Sequence, residues 1–299
     1  MTRKIAITTP TGNTGRALTA RLLDANENKQ LEIVLLARDP GKVRAFTERG
    51  ARVEKGSLDD AAFVARATEG VDALFWLTPQ NFEPGEEVRA GYNRYGRIAA
   101  EAVKRNRIRH VVHLSGFVTE KDGEGGQIID GLADVERLLN DAATNVTHLR
   151  AAFYFENYLG QIDPIKNQGS VYMPVKAETR VAMVAPRDRA DLAARELLDS
   201  DWSGRRVVSV MGPKDLTFGE AATAVSEGIG RQVSHVTVEP EQARESMIGS
   251  GLSAGLADAF VAIFVAADAG LLRWERNASS TTPTRLEEFA RTVMRPMLR

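Results

Sequence analysis

The sequence predicts an α/β fold, a doubly wound parallel sheet with a smaller C-terminal substrate lobe, and three observations carry that expectation. Short apolar runs of strand length alternate with amphipathic stretches of helical period through the first half of the chain. A glycine-containing turn stands between the first run and the first helix. The connections between successive runs are helical crossovers, which oblige the strands to be parallel and the connections right-handed.

The first run, Lys4-Ile5-Ala6-Ile7-Thr8, is followed by Thr9-Pro10-Thr11-Gly12-Asn13-Thr14-Gly15 and then by Ala17, Leu18, Leu22 and Leu23 at helical spacing. Turns of this kind use glycine to turn tightly, to approach a pyrophosphate and to pack helix on strand, with the helix N-terminus facing the anion. Gly12 and Gly15 fit the second and third roles, while Thr9 and Pro10 stand at the first, so the turn must be made with restricted dihedrals. The second run, Leu31 to Ala37, ends in Arg38, then Asp39-Pro40-Gly41-Lys42. An arginine there offers a planar fork to a ribose 2′-phosphate where an acidic residue would take a free 2′-hydroxyl, which favours NADP over NAD. Lys42 is a second candidate for the same phosphate. The alternative makes Arg38 a solvated strand end and Asp39 the cap of a helix opening at Pro40. Further on come a helix through Phe46, a strand at 51–54, a helix at 59–67, a strand at 72–77, a long helix at about 86–104 and a strand at 110–114. A helix carrying Ile128, Ile129, Leu132, Val135, Leu138 and Leu139 on one stripe then precedes a strand near 146–149. The ligand of such a sheet lies beyond the carboxyl ends of its strands.

Composition sets limits. The 299 residues are enough for one large α/β domain or a domain with an appended lobe, and a formal charge of -1 advertises no basic face for nucleic acid or an anionic membrane. The absence of cysteine excludes thiol catalysis, disulfides and thiolate metal sites. No apolar leader precedes the first strand, so the chain reads as cytoplasmic. Asp258 and Asp268 interrupt the most apolar late stretch, 251–272, which is expected to be a packed helix pair and not a membrane span.

In order, Thr11-Gly12-Asn13-Thr14-Gly15, Leu36-Ala37-Arg38-Asp39-Pro40, Gly56-Ser57-Leu58-Asp59-Asp60, Gly70-Val71-Asp72-Ala73, Val111-Val112-His113-Leu114-Ser115 and Phe153-Tyr154-Phe155-Glu156-Asn157 resemble the NmrA-like branch of the atypical short-chain dehydrogenases/reductases. The similarity continues through 185–193 and 212–218. It implies a Rossmann-like NADP-binding domain at 1–152 and a smaller α/β substrate-binding lobe at 153–299, interwoven with the first. Members include quinone, azo-dye and phenylpropanoid reductases as well as redox-sensing regulators without catalysis. The resemblance places NADPH/NADP against Thr9, Thr11, Gly12, Asn13, Thr14, Gly15, Arg38, Lys42, Ser57, Leu58, Leu77, Thr78, Pro79 and Ser115, the loop running from Leu77 to Asn81 lying along ribose and phosphates.

The departures from the family bear on chemistry. No Tyr-x-x-x-Lys follows Ser115, and Tyr95 sits on another helix without the lysine. Where NmrA-like reductases commonly carry a lysine four residues before the glutamate equivalent to Glu136, this chain has Leu132, which removes the simplest acid catalyst. Ser57 replaces a usual aspartate near the adenine; it either hydrogen-bonds there or caps a helix with Asp60 at its third position. Ser115 either binds substrate or bonds the adjacent turn. Tyr154 is read as the only nearby phenol able to donate a proton, within an aromatic group, Phe153, Tyr154, Phe155, Tyr158 and Tyr172, that either stacks on a flat ligand or fills core. His110 and His113 are read as facing the same side of their strand without a third residue to make a metal site, and His148 and His235 as isolated. The stripe of Leu252, Leu256, Phe260, Ile263 and Phe264 either roofs the cleft or makes a homodimer contact. Two functions remain: an NADPH-dependent reductase passing hydride to a planar, electron-poor acceptor such as a quinone or aromatic metabolite, and a redox sensor that binds NADP(H) and acts through a protein partner.

Overall fold

Strands that are apolar on both sides need cover on both faces, and the chain supplies helices for each. The computed structural model describes residues 2–26, 30–80, 82–83 and 85–299. Six strands arrive in turn: β1 (Arg3–Thr8), β2 (Leu31–Ala37), β3 (Arg52–Lys55), β4 (Ala73–Trp76), β5 (His110–Ser115) and β6 (Asn145–Ala151). Between them run α1 (Asn13–Asp24), α2 (Arg44–Thr47), α3 (Ala61–Ala67), α4 (Val88–Asn106) and α5 (Gly126–Ala142). The remainder holds β7 (Phe153–Tyr154), α6 (Ile162–Gln168), β8 (Ser170–Met173), β9 (Arg180–Val184), α7 (Pro186–Leu198), β10 (Arg205–Val210), β11 (Asp215–Thr217), α8 (Phe218–Ile229), β12 (Ser234–Thr237), α9 (Pro240–Gly249) and α10 (Ala254–Asp268).

Seven of these strands form one parallel sheet in the order β10-β6-β5-β4-β1-β2-β3. The order reverses between β1 and β4, the switch point at which open α/β sheets bind ligands. Ile5, Ile7, Phe75, Val112 and Leu114 join α1 and α7 on one face; Ala6, Leu74, Trp76 and Val111 join α3, α4 and α5 on the other. β10, a seventh strand, was not expected. It lies at the sheet edge, where Val207 is 52% exposed, so its sequence has no continuous apolar run to announce it. Through α7 and β10 the segment 153–299 thus returns to the first half's sheet. Its other elements form a three-stranded sheet, β11-β9-β7, and a β12-β8 pair around a separate core containing Phe155, Tyr158, Val181 and Phe218.

Several local expectations are corrected. The helix read after Arg38 is a 3₁₀ turn, Pro40–Val43, followed by the single turn of α2; Asp39 does cap it, accepting from the Gly41 N–H at 2.9 Å. Asp60, not Ser57, caps α3, accepting from the Phe63 N–H at 3.0 Å. His110 and His113 lie three residues apart on a strand, hence on opposite faces. His110 meets the Trp202 carbonyl at 3.1 Å, whereas His113 meets His148 across the β5-β6 pair at 3.2 Å, so His148 is not isolated. His235 bonds the Val175 carbonyl at 2.8 Å.

Candidate functional site

The turn after β1 is made without its first glycine by placing Thr9 itself in the left-handed region, φ 50°. A β-branched residue rarely sits there, and its cost is held by what surrounds it. Gly15 is one such neighbour: a methyl group on it would strike the Thr9 carbonyl, so this glycine is required for the approach of α1 to the turn. Gly12 has only that carbonyl near it, at 3.6 Å from where its Cβ would stand, and its N–H bonds the Thr9 carbonyl at 3.1 Å. No side chain caps α1, and its first intrahelical bond runs from Arg16, so the N–H groups of Asn13, Thr14 and Gly15 are the helix's open donors.

Beside this turn lies a cavity of about 390 Å³, walled by Thr9, Pro10, Thr11, Arg38, Asp39, Lys42, Gly56, Ser57, Leu58, Pro79 and Tyr95. The side chains of Arg38 and Lys42 make no hydrogen bond or ion pair among the described residues, and both residues line it. Two unpaired cations, open helix donors and a glycine approach fit a phosphorylated dinucleotide. The chemistry of the donor set, not an occupant, carries that fit.

A second cavity, about 370 Å³, shares Thr9 and Pro79 with the first. Its walls are mostly apolar: Leu77, Leu114, Ile128, Ile129, Leu132, Phe153, Phe260, Ile263 and Phe264, with Ser115, Gln80, Tyr92, Tyr154 and Asn157 as its polar points. Thr78 also lines it, but its hydroxyl accepts from the Trp76 indole at 3.1 Å. Tyr154 is thus wall and Phe153 both wall and core, whereas Phe155 and Tyr158 are core alone and Tyr172 bonds Gln168 elsewhere. α10 roofs this cavity with three side chains, while Leu252 precedes the helix. Asn81 lies outside the described residues.

Tyr154 is not the only phenol here. The Tyr92 hydroxyl accepts from Gln80 Nε2 at 3.3 Å in the same wall, and burial pushes both phenols above their ordinary range, so they stay protonated. The spacing of Tyr92 on a long helix gave no sign of this. Leu132 turns an apolar side chain to this cavity. The Ser115 hydroxyl is buried beside Glu136 and makes no hydrogen bond of good geometry. Burial pushes the Glu136 carboxyl up, but the two-pronged Arg150 pair, at 3.0 and 2.6 Å, together with His148 holds it below the usual carboxylate range. Deeper still, burial pushes His113 down to about 3 and His148 to about 4. His113 Nε2 has no partner, and His148 Nε2 meets Asn140 Oδ1 at 3.1 Å. Beyond β5, β6 and β10 a third cavity, about 460 Å³, meets the apolar one at Gly116, Phe117 and Ala152. Among the described residues no group of three His, Cys, Asp or Glu could hold a metal ion, and no helix is long and apolar enough to cross a membrane.

Sheet order, turn and paired cavities define a nucleotide-binding α/β protein with an apolar chamber at the switch point. The chain belongs to the NmrA-like family, whose model matches residues 1–290. It is 28% identical to an NAD(P)H azoreductase of Xenophilus azovorans over 94% of both chains. It is 30% identical to the (4-alkanoyl-5-oxo-2,5-dihydrofuran-3-yl)methyl phosphate reductase of Streptomyces griseus, over 82% of this chain and 80% of that one. Its fold is also that of the NADPH-dependent quinone oxidoreductase of Escherichia coli solved with NADPH, with TM-score 0.79, 23% identity and coverage of 96% and 98% of the two chains.

Proposed function

We propose that this protein is an NADPH-dependent reductase that passes hydride to a planar, electron-poor acceptor such as a quinone or an aromatic metabolite. The observation that carries the reading is the junction of two unlike cavities at Thr9 and Pro79, one basic and open to phosphate, the other apolar and aromatic. When bound, NADPH supplies the hydride. Arg38 grips the 2′-phosphate with its planar fork, Lys42 adds charge, and the open N–H groups of α1 take the pyrophosphate. Ser57 and Leu58 wall the adenine side, and Leu77, Thr78 and Pro79 line the passage between the cavities.

The apolar walls hold a flat acceptor and exclude water, and orientation of this kind supplies much of a rate. The reduced oxygen is met by hydroxyl donors, Ser115 and Tyr154, in place of the ammonium that Leu132 removes. A quinone asks little more, because its reduced oxyanion is a weak base.

The test is a calorimetric titration with NADPH and NADH, followed by loss of the reduced-nicotinamide absorbance on adding a panel of quinones. Tight NADPH binding with oxidation is expected. Tight binding with no oxidation by any acceptor would transfer the assignment to a redox sensor, and no binding would end the cofactor reading.

A further inference from the structure

Arg189, on α7, is 1% exposed, and its guanidinium is divided between the two halves of the site. Nε and Nη2 donate to the Thr14 hydroxyl at 3.0 and 2.9 Å, Nη1 donates to Glu156 at 3.2 Å, and Nη2 also pairs with the second Glu156 oxygen. The guanidinium carbon lies 3.6 Å from the centre of the Tyr154 ring, a stacked cation–π contact. Thr14 is the second residue of α1 and 3% exposed, so its hydroxyl is spent on this arginine and not on a ligand. Tyr154 and Asn157, on either side of Glu156, line the apolar cavity.

A buried cation is tolerated only with partners in place, and this guanidinium holds Thr14 on one side and Glu156 and Tyr154 on the other through separate contacts. One end of that arrangement is an N–H-bearing residue of the turn; the other is the wall against which an acceptor would rest. We propose that Arg189 is a positioning residue coupling occupation of the nucleotide turn to the shape of the acceptor wall. This rests on the assignment of nucleotide and acceptor to the two cavities, not on turnover. A nucleotide on the turn fixes Thr14, Thr14 fixes the guanidinium, and the guanidinium fixes Tyr154 and Glu156. By linkage, either ligand then tightens the other.

The experiment must avoid direct contact between ligands. The probes are 2′-phospho-ADP-ribose, which has the phosphates but no nicotinamide, and 2-methyl-1,4-naphthoquinone. Quinone affinity is measured by equilibrium dialysis with and without saturating 2′-phospho-ADP-ribose, saturation being set by calorimetry for each variant. Saturation is expected to tighten wild-type quinone binding by about fivefold or more, within the usual range of coupling between sites. In Arg189→Met the ratio is expected to fall to one. Thr14→Val serves where Arg189→Met does not fold, because it cuts only the link to the turn and leaves the Glu156 pair and the Tyr154 stack; the same loss is expected. A ratio of one in the wild type, or an undiminished ratio in a folded variant, overturns the proposal. Wild-type turnover with a ratio of one would overturn the coupling and leave the reductase standing. A normal ratio without turnover does the reverse, and a quinone that never binds overturns both.

Discussion

The two cavities that meet at Thr9 and Pro79 are built by opposite rules. The basic one is made of short contiguous stretches, 9–11, 36–39 and 56–58, each at the carboxyl end of a neighbouring strand. Its demands fall on the backbone: a left-handed Thr9, a glycine against its carbonyl, open helix donors. The apolar one gathers residues from 77–80, 92, 114–117, 128–132, 151–157 and 260–264, and its demands fall on side-chain volume. Backbone demands tolerate few residue types and leave motifs, whereas volume can be met by many combinations of apolar side chains. The nucleotide half is therefore expected to fail abruptly on substitution, and the acceptor half to drift.

The largest effect should come from Gly15→Val, which drives a branched side chain into the Thr9 carbonyl. Overpacking of this kind costs about 1–3 kcal/mol. The melting temperature should fall and NADPH binding should disappear from calorimetry, with quinone binding to the folded fraction retained. Wild-type NADPH affinity in this variant would erase the contrast between the halves. Next is Arg38→Ala. The side chain is exposed, so its bond to a 2′-phosphate belongs at the weak end of charge-assisted bonds, about 1.5 kcal/mol, or roughly tenfold in affinity. NADPH should weaken by that factor and NADH hardly at all, measured by parallel titrations; equal losses would remove the 2′-phosphate from Arg38.

How much was legible follows the same division. Gly12, Gly15, Arg38, Ser57 and Leu58 could be placed because strand, turn and helix follow one another without a break, and the sheet's carboxyl edge then locates the rest. The aromatics after β6 could not be sorted: Phe153 and Tyr154 reach the cavity, Phe153 while also packing in the core, and Phe155 and Tyr158 do not, a difference set by the short β7 and the 3₁₀ segment after it. Tyr92 is masked by the periodicity of α4, which reads the same whether its apolar face meets core or cavity. Arg189 lies 175 residues from Thr14, and β10 is an edge strand with an exposed side, so neither could be joined to its partners before the chain was folded.

The last test, in which the smallest effect on ligand binding is expected, concerns what lies beneath the acceptor half. His113 and His148 sit under Ser115 and Arg150 on the α5 side of the sheet, His113 held at about 3 by burial and by His148, and His148 at about 4 by burial and by Arg150. In the unfolded chain both bind their protons near pH 6.5. Between that value and about 4 the unfolded state holds more protons than the folded one, so stability falls as pH falls through this window and is level above it. The slope from one proton is about 1.4 kcal/mol per pH unit once the pH is well below 6.5. Urea midpoints from pH 7.5 to 4.5 should show it, and a His113→Leu, His148→Leu double variant should flatten the curve. NADPH affinity of the folded protein at pH 5.5 should change less than stability does, because neither histidine lines the basic cavity. A slope that survives in the double variant would place the acid sensitivity elsewhere, and a pH 5.5 loss of NADPH affinity matching the loss of stability would show that the two halves do not respond separately.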